Sequence, residues 1–381
     1  MKYRELGRTG IMAGQIGMGC EGFIDKDPAV VKEYIDAMEQ LGMNTIDMYN
    51  PDPVYLQALG EALKGRREKF VLQLHIGSIW DGSQYERSRD VARVRENFPK
   101  KLRQLQTDYA DIGMIHYCDA LDDWNELMAC GIMDYAKELK AAGTIRAIGV
   151  STHNPEVGLA AVRDGVEVIM FSVNPCYDLL PATEDVEQLW NPKNYENSPV
   201  NMDPQRQAFY ETCQREGVGI TVMKAFGGGD LLNAEDSPAG LALTANQCMH
   251  YALTRPGVGC VIAGCRNLEQ IYEAAAYENA TDEERDYAPA FAKMKKVSWQ
   301  GHCMYCGHCA PCPKGIDVAT VTKFLNLAKV QGSVPETVRE HYAVLDHKAG
   351  ECVSCGACEK RCPFGVSIRE NMRKAKEIFG S

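Results

Sequence analysis

Two cysteine runs late in the 381-residue chain have a spacing that suits metal-cluster ligands. Residues 303–313 read CMYCGHCAPCP, a C-x2-C-x2-C-x2-C-P run; residues 352–363 read CVSCGACEKRCP, a C-x2-C-x2-C-x3-C-P run. Three thiolates on one tight loop can hold three corners of a 4Fe–4S cube, while the fourth, followed by proline, crosses to the other cube. One cluster is therefore assigned to Cys303, Cys306, Cys309 and Cys362, and the second to Cys352, Cys355, Cys358 and Cys312. The first run is one residue shorter before its last cysteine. Paired C-x2-C spacings also suit zinc, but four cysteines in a row ending in Cys-Pro, twice over, favour iron–sulfur.

A second set of reactive side chains lies upstream. Asp47, His75, His116, Ser151 with His153, Asn174, Lys224 and Arg266 each follow an apolar run directly or within a few residues. These runs, at 14–19, 43–47, 69–75, 110–116, 145–151, 166–171, 218–224 and 259–264, read as strands. Helical patterns near 28–41, 54–64, 90–105, 124–142, 155–164, 203–216, 241–254 and 267–279 separate them. Continuous apolar strands alternating with helices imply a parallel sheet covered on both faces. Eight such units make a (β/α)8 TIM barrel the economical fold, with its active site at the C-terminal strand ends. A doubly wound open sheet is the alternative; no G-x-G-x-x-G opens a helix after the first strand.

Composition bounds the remaining possibilities. Hydrophobic residues make up 45% and charged residues 24%, enough for a large core. No apolar run has the length of a membrane span, and the start, MKYRELGRTG, has no apolar stretch of a secretory signal. Sixteen cysteines without an export signal read as reduced thiols or metal ligands, which places the protein in the cytoplasm. A net charge of −11 argues against nucleic acid as a partner. Residues 300–381 hold 11 Lys+Arg against 8 Asp+Glu, so a basic tail follows an acidic barrel sequence. The expected division is a barrel over 1–281, a connecting helix over 282–300 and an iron–sulfur domain over 301–381. Residues 177–203 read as a long functional loop, in which Asp178, Glu184, Trp190 and Tyr195 would shape selectivity.

The segments RELGRTG…IGMGC, GMNTIDMY…LGEALKGRREK, DYADIGMIH, AAGTIRAIGVSTHN, GVGITVMKAFGGGDL and VIAGCRNLEQI resemble aldo/keto reductases. In particular they resemble the bacterial branch with a C-terminal ferredoxin-like domain, and the resemblance covers essentially the whole chain. It implies a TIM barrel followed by a small α-helical two-cluster domain. It also implies reduction of a small carbonyl compound, or oxidation of the corresponding hydroxyl compound, with NADP(H) or NAD(H). In that family an Asp, Tyr, Lys and His at the barrel mouth handle the proton. Asp47 and His116 match two of these; the tyrosine position holds Asp52 and the lysine position holds His75.

An ionised Asp can only accept, whereas an imidazole can both donate and recover a proton near neutrality. His75, or Tyr49 or Tyr55 reaching in through the loop at 50–54, is thus one expected proton donor. A different acid/base reaction using Asp47, Asp52, His75 and His116 is a second reading, and loss of catalysis in the barrel a third. For the cofactor, the resemblance implies Gly227, Gly228 and Gly229 at the diphosphate and Gly264, Arg266 and Gln270 at the adenosine phosphate. It implies Ser151 and Asn174 near the nicotinamide amide, with Lys224 as a further cofactor-binding residue. Met170 and Met223 stand where family members carry a glutamine and a stacking tyrosine.

Because a hydride carries two electrons and a cluster accepts one, the clusters are expected to serve an outside carrier of ferredoxin or flavodoxin type, or the structure alone. The alternatives are an enzyme without nicotinamide, whose clusters feed electrons to a substrate at the barrel mouth, and a non-catalytic electron carrier. Asp47 and His116 speak against the last.

Overall fold

The computed structural model describes residues 1–82, 84–179, 203–235, 237, 241–287, 290, 303, 308–330, 334, 336–362 and 365–380. Eight parallel strands close into a barrel: β1 (Ile16–Gly19), β2 (Thr45–Met48), β3 (Val71–Ile76), β4 (Ala110–Ile115), β5 (Ile145–Thr152), β6 (Val168–Ser172), β7 (Gly219–Met223) and β8 (Val258–Ala263). Each of the eight apolar runs supplies one strand. A hairpin of Tyr3–Glu5 and Met12–Gly14 precedes them. Its Leu6, Ile11 and Ala13 join Val71, Ile112, Val168 and Cys260 in an apolar cluster, closing the end of the barrel opposite the strand C-termini.

Helix starts follow a repeated local rule. Asp27-Pro28, Asp52-Pro53, Asn154-Pro155 and Asp203-Pro204 open α1 (Pro28–Leu41), α2 (Pro53–Leu63), α6 (Pro155–Arg163) and α7 (Pro204–Glu216). In each, the Asp or Asn oxygen accepts a backbone N–H of the first turn. The proline sits where its missing N–H costs nothing. The remaining helices around the barrel are α3 (Val91–Gln104), α4 (Leu121–Ala129), α5 (Ile132–Ala141), α8 (Ala245–Leu253) and α9 (Leu268–Ala276). The single helix expected over 124–142 is two. Gly131, at φ 94°, takes a left-handed conformation that ends one run and caps the next.

The described residues divide into two compact units, and residues 81–86 group with the second although they lie within the barrel sequence. There the Gln84 side chain brackets one residue: its Nε2 donates to the Cys312 carbonyl at 3.1 Å, and its Oε1 accepts from the Cys312 N–H at 3.4 Å. Of the connecting helix expected over 282–300, the described residues include a helical turn at Asp282–Arg285 and helical residue 290. The second unit contains α10 (Val318–Val330), α11 (Glu336–Ala343), α12 (Ala357–Arg361) and α13 (Ile368–Phe379). Val321 and Leu325 of α10 and Met372 and Ala375 of α13 are buried. Tyr342 stacks on Phe379 at 4.1 Å. No helix among the described residues is long and apolar enough to cross a membrane.

Most of the 177–203 loop, including Glu184, Trp190 and Tyr195, lies outside the described residues. Its ends meet: Asp203 N donates to the Asp178 carbonyl at 2.7 Å. The fully buried Asp178 carboxylate is not a selectivity residue on a loop surface. It accepts from Tyr210 Oη at 2.6 Å and Tyr251 Oη at 2.7 Å beside Arg206, which braces this corner. Burial first of all raises its pKa.

Candidate active site and cluster site

Strand register brings the acid/base groups together. Asp47 on β2 pairs with Gln73 on β3, and His75 on β3 with Met114 on β4. Because alternate residues share a face, Gln73 and His75 point the same way, toward Asp47. The Asp47 Oδ1 accepts from Gln73 Nε2 at 2.6 Å and lies 3.0 Å from His75 Nε2. The other nitrogen of His75, Nδ1, lies 2.7 Å from His116 Nδ1. All four side chains are buried.

The carboxylate sets the direction of this chain. A carboxylate only accepts, so His75 carries its proton on Nε2 and presents a lone pair at Nδ1. His116 then donates from Nδ1, and Nε2 is the ring nitrogen not engaged by His75. A positive charge on His116 is stabilised by Asp47 through His75. Gln73, absent from the sequence reading, holds the carboxylate in place. Its Oε1 accepts from Thr221 Oγ1 on β7 at 3.0 Å, and its Nε2 also meets Met170 Sδ at 3.3 Å. A glutamine inside the apolar run VLQLH was the signal for it.

Two expected participants are placed elsewhere. Asp52 caps α2 by accepting from Val54 N at 2.7 Å, and among the described residues it has no hydrogen bond to the Asp47–His75–His116 chain. The proline that follows makes it a helix cap, which accounts for its distance from the tyrosine's role. Tyr55 is buried with its hydroxyl donating to the Asn50 carbonyl, and burial drives its pKa well up. Tyr49 does reach the site. Its ring lies parallel to His116 and edge-on to His75, each at 6.4 Å, while its hydroxyl donates to Glu21 Oε1 at 3.0 Å.

Behind the site, the buried Lys101 on α3 donates to the backbone carbonyls of His75 and Ser78. Burial pushes its pKa from 10.5 down to about 7. Between these values the unfolded chain holds a proton that the folded chain has released. Stability therefore gains with rising pH across that window. Lys101→Met is expected to flatten this rise, measured as the difference in thermal midpoint between pH 7 and pH 10 under anaerobic conditions.

The residues expected at a dinucleotide are placed as follows. Gly227, Gly228 and Gly229 all have positive φ (61°, 78° and 110°), a run that glycine alone adopts readily. Two of their N–H groups are spent inside the turn, Gly227 on the Lys224 carbonyl and Gly229 on that of Phe226. Added Cβ atoms at Gly229 and Gly264 would meet nothing within 4 Å, so both backbones border open space. Arg266 precedes α9, whose cap Asn267 accepts from Gln270 N, and the Gln270 side chain accepts from Arg266 N at 2.8 Å. Among the described residues the Arg266 guanidinium has no ion-pair partner. Ser151 is buried. The Asn174 amide is committed to backbone: its oxygen accepts from Cys176 N and Tyr177 N, and its nitrogen donates to the Lys224 carbonyl.

In the second unit, Cys312, Cys352, Cys355 and Cys358 line one cavity together with Pro313, Ile316, Val318 and Met372. Four thiols around one largely apolar cavity fit a 4Fe–4S cube, with the C-x2-C-x2-C loop supplying three corners and the distant Cys-Pro the fourth. Of the other set, Cys303, Cys309 and Cys362 are partly buried, and Cys306 lies outside the described residues. Arg361, next to Cys362, donates to the Cys309 and Pro311 carbonyls at 2.6 and 2.5 Å, tying the two cysteine runs together. The eight upstream cysteines are thiols buried or partly buried in the barrel unit. Burial raises the pKa of Cys118 and of Cys176.

Comparison with known proteins agrees with both units. Residues 15–242, more than half of the chain, match the aldo/keto reductase family, and the chain belongs to that family. Residues 302–367 match the 4Fe-4S dicluster domain. The uncharacterized oxidoreductase YqkF of Bacillus subtilis is 26% identical over 305 residues, covering 74% of this chain and 94% of its own. The aldo-keto reductase YhdN of the same organism is 32% identical over 170 residues, covering 41% of this chain and 48% of its own. An aldo-keto reductase of Bacillus halodurans, solved in its holo form, shares the fold with a TM-score of 0.59 at 23% identity, covering 78% of this chain and 97% of that one. The protein is an oxidoreductase of the aldo/keto reductase type carrying an iron–sulfur domain.

Proposed function

We propose that this protein interconverts a small carbonyl compound and its alcohol with NADP(H) or NAD(H), and that His116 holds the proton exchanged with the substrate oxygen. The observation that carries the reading is the Asp47–His75–His116 chain, with bonds of 3.0 and 2.7 Å. It offers what the missing tyrosine and lysine would have offered, a donor whose charge is stabilised by a buried carboxylate. His116 Nε2 gives its proton to the oxygen as negative charge develops there. His75 accepts from His116 Nδ1 and so supports the doubly protonated ring that donates from Nε2, and Gln73 keeps Asp47 aimed at His75. A bound nicotinamide supplies the hydride. Arg266, Gly264 and Gln270 would hold its adenosine end, Gly229 would border its diphosphate, and Ser151 and Met223 would lie toward the nicotinamide.

The two clusters, on Cys303, Cys306, Cys309 and Cys362 and on Cys352, Cys355, Cys358 and Cys312, would supply single-electron exchange with a ferredoxin or flavodoxin-type carrier. The test of the nicotinamide reading is calorimetric titration of anaerobically purified, cluster-loaded protein with NADPH and then NADH. Micromolar binding is expected. Arg266→Ala should weaken NADPH by roughly 10- to 100-fold, the value of a charge-assisted phosphate contact, and leave NADH nearly unchanged. Absence of binding into the millimolar range would overturn the nicotinamide reading and favour electrons delivered through the clusters to a substrate at the barrel mouth.

A further inference from the structure

Asp119, His153 and Lys224 form a second hydrogen-bonded chain in the barrel unit, sharing no residue with the first. Asp119 lies just beyond β4, His153 just beyond β5 and Lys224 just beyond β7, all at C-terminal strand ends. The Asp119 carboxylate oxygens lie 3.1 and 3.0 Å from His153 Nδ1, and Oδ1 also accepts from His153 N at 2.7 Å and Thr152 Oγ1 at 3.3 Å. His153 Nε2 lies 2.6 Å from Lys224 Nζ. Since the carboxylate accepts, Nδ1 carries the proton and Nε2 aims its lone pair at the lysine. His153 is a base already turned toward an ammonium.

The lysine itself is held in place. Its backbone sits at φ 61°, a conformation that costs a non-glycine residue free energy. The Asn174 amide bonded to the Lys224 carbonyl at 3.1 Å helps to keep it there. Asp119 and His153 keep 27% and 16% of their side-chain surface exposed, so small molecules can reach the chain. A nucleophile within hydrogen-bond reach of a base, and that base within reach of an orienting carboxylate, is the arrangement of an activated nucleophile.

We propose that Lys224 captures a small carbonyl compound as an imine, with His153 as its base and Asp119 as the group that positions the base. This rests on the reading that the barrel rim receives carbonyl compounds. His153 Nε2 takes a proton from the Lys224 ammonium. The neutral amine attacks the carbonyl carbon: a C–N bond forms, the C=O π pair moves to oxygen, and a proton passes from nitrogen to that oxygen to give a carbinolamine. His153 then returns its proton to the hydroxyl, which leaves as water while the nitrogen lone pair closes the C=N bond. One water is released, and no electron is gained or lost.

The test uses full-length, cluster-loaded protein with glycolaldehyde and cyanoborohydride, which reduces imines in preference to aldehydes, followed by peptide mass mapping. Lys224 is expected to carry the reduced adduct well before Lys64 and Lys32, whose side chains are 73% and 63% exposed. Asp119→Asn should slow labelling of Lys224 by about 100-fold, the scale of a lost general base, and leave the exposed lysines unaffected. Lys224→Arg keeps the charge and should abolish the label at that position. Labelling of Lys224 no faster than Lys64, or labelling indifferent to Asp119→Asn, overturns the proposal. Turnover of glycolaldehyde with NADPH is measured separately. Turnover without labelling overturns the imine and leaves the reductase reading standing; labelling without turnover supports the imine and counts against that reading.

Discussion

Cys355→Ser is expected to remove one cluster and with it half of the iron and acid-labile sulfide of the anaerobically purified protein. Cys355 is one of four thiols on the cavity that also holds Cys312, Cys352 and Cys358, and it is the exposed corner. A serine hydroxyl ionises far less readily than a thiol, and thiolate is the ligand that iron–sulfur clusters take. Cys303, Cys309 and Cys362 are untouched by the substitution, so their cluster should survive. The readouts are iron and sulfide content with the spectrum of the reduced protein. Full iron retention would remove Cys355 from the ligand set. Zinc in place of iron in the unaltered protein would overturn the cluster assignment itself. Circular dichroism separates cluster loss from collapse of the barrel, whose core contains none of these cysteines. If carbonyl turnover with NADPH is unchanged in the variant, the clusters stand outside the hydride path.

Asp47→Asn should lower turnover by roughly 100- to 10,000-fold, the range for loss of a positioned proton donor, with cofactor affinity nearly unchanged. The substitution preserves shape and removes the negative charge. An amide oxygen at the position of Oδ1 still accepts from Gln73 Nε2 and His75 Nε2, so the chain keeps its hydrogen bonds. What is lost is the carboxylate that stabilises a positive charge on His116 through His75. His75→Ala interrupts the same chain at its centre, and combining the two should cost little more than either, because the three groups act as one unit. Steady-state kinetics over a panel of small aldehydes, with cofactor titration alongside, measures both effects. A loss of less than about threefold in Asp47→Asn would show that proton transfer does not run through this chain.

The barrel could be read in the sequence because its signals are local. Each strand is a continuous apolar run, each helix has its own period, and a polar residue after an apolar run falls at a strand end. That was enough to bring Asp47, His75 and His116 to one rim. Register alone does not say which partners meet. Gln73 reaches Asp47 through the pairing of β2 with β3, and its oxygen is fixed by Thr221, 148 residues away. Asp119, a residue in a loop with no distinguishing neighbours, orients His153, which in turn faces Lys224 71 residues on. Lys101, on the face of α3 toward the barrel, looked like any helix lysine until its ammonium was found on the carbonyls behind His75.

Asp52 illustrates the opposite limit. Aligned by position it stands for a tyrosine, but an aspartate before a proline has a strong local demand of its own, the first turn of α2, and that demand is met. The cysteines are the plainest contrast. The three cysteines proposed for one loop of a cube lie within seven residues, so their chemistry is written in spacing and needs no long-range partner to be recognised. Acid/base chains have no such spacing. They are assembled by closure of the barrel, which decides which strand ends face one another, and by the hydrogen bonds that choose each tautomer. The amino-acid sequence determined the barrel, its rim and the spacing that marks a 4Fe–4S dicluster domain; only the tertiary structure decided the direction of the proton chains.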